Sequence, residues 1–98
     1  MPIAERLDQV EIDVSSVTSR EELHVLLARE LGFPGYYGKN WDAFWDCIRD
    51  PEQSQMPNHL VVRGMSLLQQ SMPREAQRLH TCLRNFIFER PEFRVSWA

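Results

Sequence analysis

A chain of 98 residues, 43% hydrophobic and 26% charged with a net charge of −3, suits one globular domain over residues 1–98 and excludes two. No stretch approaches the roughly 20 apolar residues that cross a bilayer, and Met1 to Asp13 lack a cationic segment followed by an apolar run, so a cytoplasmic chain without membrane contact is expected. The mild acidity argues against direct nucleic-acid binding, which needs clustered Lys and Arg, and favours a basic partner.

Val10, Ile12 and Val14 alternate with Gln9, Glu11 and Asp13, the period of a strand with one buried face. Ser19 precedes Glu22 in a capping box, and Leu23, Leu26, Leu27 and Leu31 follow at helical spacing until Gly32 supplies a stop. Phe33 to Lys39, interrupted by Pro34, Gly35 and Gly38, reads as a loop carrying Tyr36 and Tyr37. With Asn40 as cap, Trp41, Phe44, Trp45 and Ile48 recur at i, i+3, i+4 and i+7, predicting a second helix to about Arg49, before Pro51.

A polar loop over Pro51 to Pro57 leads to an apolar, partly β-branched run, His59 to Met65, which reads as a second strand. Ser66 to Ser71 suggests a brief helical turn. Pro73 opens a longer helix whose Ala76, Leu79, Leu83, Phe86 and Ile87 share one face until about Glu89, and Phe93 to Trp97 reads as a third strand. No hairpin turn joins two strands, so the connections are helical crossovers and the strands parallel. The expected fold class is α/β, a small three-stranded parallel sheet packed against helices. Cys47 and Cys82 lack metal-ligand spacing and read as reduced, buried or half-buried thiols.

On a wheel advancing about 100° per residue, Trp41, Phe44 and Ile48 occupy the middle of the buried stripe of the second helix. Asp42 and Asp46 stack together roughly 100° or more away, and Trp45 falls at the stripe's edge nearest them, where a ring is half covered. Like charges at i and i+4 destabilise an isolated helix by roughly 0.2–0.5 kcal/mol. The helix dipole offsets some of this for Asp42 in the first turn, less for Asp46. Spacing leaves two readings open: a solvated acidic face, or an acidic binding patch flanked by Tyr36, Tyr37 and Trp45, amphipathic rings of the kind that anchor protein interfaces. Trp41 and Phe44 are assigned to the core and Asp50 to solvent. His24, His59 and His80 are scattered, read as surface or boundary residues, and offer no histidine-based pH switch.

The contiguous pattern Tyr36-Tyr37-Gly38-x-Asn40-x-Asp42-Ala43-x-Trp45-Asp46-Cys47 resembles the barstar family, small bacterial inhibitors of extracellular ribonucleases of the barnase type. Outside it the similarity is mainly the order of elements. The resemblance implies a three-stranded parallel sheet with helices, in agreement with the periodicity, and a second helix and preceding loop that plug a ribonuclease active site. It implies contacts at Tyr36, Asp42, Trp45 and Asp46, with Asp46 matching the dominant carboxylate that occupies the place of a substrate phosphate. Tyr37, Gly38 and Asn40 match too, Gly38 as a loop former and Asn40 as a cap. A carboxylate on a rigid helix suits the Arg, Lys and His that hold phosphate, and opposed potentials speed encounter, the barnase–barstar pair being itself a type example of such charge pairing.

The chain departs from the family pattern at three places. Lys39 stands where an acid is common, Arg49-Asp50-Pro51 replace a Gly-Trp contact, and His80 takes the register of a further acidic contact, with Glu75 more than a turn earlier. Lys39 and His80 are thus added positions where the interface would shift. An enzyme finds no support: there is no nucleophile, base and orienter set, no phosphate-binding glycine loop and no HExxH or CxxC site, and two aspartates are too few oxygen ligands for a hard cation. No catalytic residue, metal or cofactor is therefore expected. The expected partner is a basic bacterial ribonuclease or nuclease toxin, the free protein being monomeric. An immunity protein against a different secreted nuclease, or a binding module for another basic protein, would use the same surface.

Overall fold

The computed structural model describes residues 8–98. Its elements follow in the order β1 (Gln9–Asp13), α1 (Arg20–Leu31), α2 (Trp41–Arg49), β2 (His59–Arg63), α3 (Met65–Ser71), α4 (Pro73–Glu89) and β3 (Arg94–Trp97). The strands form one three-stranded sheet in the order β1-β2-β3, every pair parallel. Val10, Leu60 and Val95 stand in one row, and Ile12, Val62 and Trp97 in the next but one.

Strands laid down in sequence order, each reached by a right-handed crossover, place their connecting helices on the same face of the sheet. The exposure pattern agrees. Ile12, Leu60 and Val62 are buried under Leu23, Leu27 and Leu31 of α1, Phe44 and Ile48 of α2, Leu68 of α3, and Leu79, Leu83 and Phe86 of α4. Each such side chain contributes roughly 1.5–3 kcal/mol by leaving water. On the other face lie exposed Glu11, Asp13, Arg63, Arg94 and Ser96, linked by Arg63 Nε donating to Glu11 at 3.1 Å and by a 2.7 Å bond between His59 and Ser96. A parallel sheet is ordinarily covered on both faces; here charged and hydroxyl pairs set diagonally between neighbouring strands, on either side of a buried Val61, stand in place of the second layer.

Three local outcomes differ from the sequence reading. The second strand stops at Arg63, because Gly64 turns left-handed (φ 80) and caps α3, which takes in Met65 as its first residue. The sharpness of that corner needs glycine: a Cβ there would lie 2.5 Å from the Ser15 Cβ. The capping box is shifted by one residue, since Ser19 Oγ accepts from Glu22 N at 3.1 Å while the Glu22 carboxylate accepts from the backbone and hydroxyl of Thr18, both at 2.8 Å. His24, expected at the surface or boundary, is fully buried (0% exposed) on the inner face of α1, whereas Leu26 is only partly covered.

Candidate partner-binding face

The face is built from the end of α1 onward. Gly32 adopts the left-handed conformation (φ 70) that ends α1 and turns the chain into the Phe33–Asn40 loop. A turn closed by Tyr37 N donating to the Pro34 carbonyl at 3.0 Å separates the two tyrosines. Tyr36 is 78% exposed. Tyr37 is 8% exposed, so the expectation of a second available ring is corrected: it packs 4.8 Å from the Phe33 ring, and its hydroxyl lies 2.6 Å from His24 Nδ1. Its phenol sits inside because it can satisfy its polar end there. Burial, with lesser contributions from Cys47 and Cys82 and against Arg20, pushes that hydroxyl up, so it remains a proton donor.

Lys39 is the described non-glycine residue with positive φ (56), and its Nζ pairs with Glu21 of α1 at 3.6 Å. Asn40 then caps α2, its side chain accepting from Ala43 N at 2.8 Å. Both ends of α2 are tied to α4. Trp41 Nε1 donates to Glu75 at 2.8 Å, and Arg49 Nε donates to Glu89 at 2.9 Å. The Arg49 guanidinium also lies 4.9 Å from the Trp45 ring centroid. Trp45 is half-buried, as its place on the wheel implies, and Asp42 and Asp46 are exposed beside it.

Between α2 and α4 runs a groove of about 200 Å³ lined by Trp41, Asp42, Trp45, Arg78, Thr81, Cys82 and Asn85. Arg78, Thr81 and Asn85 were not singled out from the sequence. Their spacing marks one flank of α4, but only the docking of α2 tells which flank matters. His80 lies outside this groove, exposed and stacked at 5.0 Å and 29° on Trp97 of β3, because one residue of helix advance rotates it away from Thr81.

The carboxylates fall into two groups. Glu11, Glu21, Glu22, Glu30, Glu75, Glu89, Glu92, Asp8, Asp13 and Asp50 each have a hydrogen bond or ion pair. Asp50, read as solvated, instead closes the turn after α2, accepting from Glu52 N at 2.9 Å and Gln53 Nε2 at 2.8 Å; these bonds hold its carboxyl below the usual range. Among the described residues, the side chains of Asp42, Asp46 and Glu52 have no such partner, and two of these three stack on α2 beside Trp45.

Burial pushes the Cys47 thiol up, with Asp46 and Asp50 adding to it. Burial also pushes the Cys82 thiol up, Arg78 opposing and Asp42 adding. Neither thiol is activated toward a nucleophile's role. Among the described residues no three His, Cys, Asp or Glu side chains gather to hold a metal ion, and no helix is long and apolar enough to cross a membrane.

A family model described as Barstar (barnase inhibitor) matches residues 7–96. A protein of Bacillus subtilis (strain 168) named "Putative ribonuclease inhibitor YrdF" is 49% identical over 37 residues, a span covering 38% of this chain and 41% of that protein.

Proposed function

The chain belongs to the barstar family, and from that premise we propose that it inhibits a basic bacterial ribonuclease of the barnase type by seating α2 and the loop before it in the nuclease active site. The observation that carries this reading is the pair Asp42 and Asp46, exposed and unpartnered on a helix fastened at both ends to α4. A domain that engages nearly all its other described carboxylates leaves these two open. On such a helix they are pre-organised acceptors for the Arg, Lys and His that would otherwise grip a phosphate, and little ordering cost remains to be met on binding.

Asp46 is the central acceptor in this proposal, Asp42 and Trp45 form the wall shared with the groove, and exposed Tyr36 supplies the aromatic contact from the loop. Tyr37 acts from within by holding that loop. The chain performs no chemistry of its own; inhibition is occlusion, one protein per nuclease, in the cytoplasm of the producing cell. Arg78 shares the groove with Asp42, and Lys39, paired with Glu21, stands just before the cap of α2; these two cations support a second reading, in which the cognate enzyme is a different secreted nuclease toxin that places an acid opposite one of them.

The test is RNA cleavage by a barnase-type ribonuclease titrated with this protein and, in parallel, with Asp46→Ala. The expected result is inhibition that saturates near equimolar protein and is lost in the variant. Absence of inhibition by the unaltered protein would turn the assignment to another nuclease.

A further inference from the structure

His24 is buried on α1 with its ring 4.5 Å from that of Trp41 and 5.8 Å from that of Tyr37. Its Nδ1 lies 2.6 Å from the Tyr37 hydroxyl, which donates to the Asn40 carbonyl at 3.4 Å. These groups come from α1, the loop and the cap of α2, so the chain of bonds spans the segment that presents Tyr36. Among the described residues no group bonds to His24 Nε2, although that atom is buried.

The unpaired atom fixes how the ring is used. If the Tyr37 hydroxyl donated to Nδ1, the imidazole proton would sit on Nε2 as a buried donor without an acceptor. If Nδ1–H donates to the Tyr37 oxygen and the hydroxyl donates on to Asn40, every proton in the relay has an acceptor and only a lone pair is left over. Orphaned buried N–H groups are rarer than under-used acceptors, which selects the second arrangement. A further proton can then arrive only at Nε2, where it meets no acceptor. The charged groups facing the ring are Arg20 on its own helix and Glu75 on α4. Burial foremost, then Arg20, pull the imidazole down to about 4, against Glu75.

We propose that His24 and Tyr37 form a proton-sensitive latch: the neutral imidazole holds the loop ahead of α2 against α1, whereas a proton taken at Nε2 leaves the Nδ1–H bond in place but buries a cation without an acceptor, so that the loop opens to let water reach the ring. Release frees Tyr36 and the Asn40 cap from the arrangement that faces a partner, so complex formation is linked to pH. That functional consequence rests on the inhibitor reading; the latch itself does not.

Native-state hydrogen exchange of the free protein, followed by NMR from pH 7 to 4, tests the latch without a partner. Opening at the Phe33 and Tyr37 amides, the two of the 33–40 segment that donate to backbone carbonyls, corrected for intrinsic exchange, should rise about tenfold per pH unit below 6.5, the ordinary value for imidazole, as pH approaches the folded value of about 4. His24→Asn offers the Tyr37 hydroxyl an amide that does not titrate and should abolish this slope. Tyr37→Phe should raise opening of the same amides at pH 7 while strand amides stay protected. The same slope in His24→Asn as in the unaltered protein, or unchanged loop exchange in Tyr37→Phe, would overturn the latch. Affinity for a barnase-type ribonuclease at pH 7 and pH 5 separates the two ideas. A slope without any binding supports the latch and counts against the inhibitor reading, whereas binding with equal pH dependence in His24→Asn does the reverse.

Discussion

Trp41 donates its indole N–H to Glu75 at 2.8 Å, and Arg20 approaches the same carboxylate at 3.6 Å, so one side chain of α4 fastens the first turns of both α1 and α2. Trp41 is only 6% exposed, and its donor has no alternative partner among the described residues. Glu75→Ala should therefore cost about 1–3 kcal/mol, the penalty of a nearly buried donor left unpaired. Glu75→Gln, which keeps an acceptor for the indole and gives up only the half-exposed Arg20 pair, should cost less than about 1 kcal/mol. Urea unfolding of the two variants checks this; equal losses would mean that charge, not the indole bond, fixes α2 in place.

Asp46 has no such structural duty. Its removal lifts a like-charge contact with Asp42, so Asp46→Ala should leave the melting temperature unchanged or slightly raised. Affinity for a basic ribonuclease should fall at least about 30-fold, the mark of an interface hot spot worth about 2 kcal/mol. Glu52→Ala, which removes another unpartnered acid from the loop beyond α2, should change affinity little. Calorimetric titration of both variants decides the matter, and equal effects would remove α2 from the interface.

Much of this was legible in the amino-acid order. The parallel sheet followed from three apolar runs with no hairpin turn between them, and the half-covered position of Trp45 followed from the wheel. His24 shows where a residue-type prejudice prevailed over geometry. On a wheel of about 100° per residue it lies about 60° from the centre of the Leu23, Leu27, Leu31 stripe, whereas Leu26 lies about 100° away, so periodicity favoured burying the histidine before that leucine. What periodicity could not supply was the partner that makes the burial tolerable, Tyr37, thirteen residues on in an irregular loop. The same limit hid the division of labour between adjacent tyrosines and the flank of α4 that meets α2, since both depend on packing between elements.

Lys39 brings a positive charge to the edge of an acidic face in a left-handed conformation that costs a side chain about 1 kcal/mol. Its ion pair with Glu21 is largely solvated and returns little of this. Lys39→Glu should lower stability by a few tenths of a kcal/mol through repulsion from Glu21, yet tighten binding to a basic ribonuclease several-fold. Most of the gain should be in the association rate and should fade as salt is raised. Stopped-flow association at low and high ionic strength checks it. A slower association in the variant would instead show that the partner offers an acid to Lys39, in favour of the second nuclease reading.

The stability of the whole domain should carry the His24 signature as well. A histidine whose folded value is pulled below its unfolded one binds more protons when unfolded, so its contribution is fully present above pH 6.5 and is lost as pH falls toward about 4. At about 1.4 kcal/mol per unit, this interval corresponds to a loss of about 3 kcal/mol. Asp13, Glu22 and Asp50, held below the usual carboxylate range by hydrogen bonds from Ser15, from Thr18, and from Glu52 and Gln53, weaken the fold only at more acid pH, as they protonate. The two windows are separable. Between pH 7 and 5 the urea midpoint of the unaltered protein should fall while that of His24→Asn stays nearly flat, and both should fall together below pH 4. Parallel decline of the two proteins from pH 7 onward would assign the acid sensitivity to carboxylates and leave His24 without a part in it.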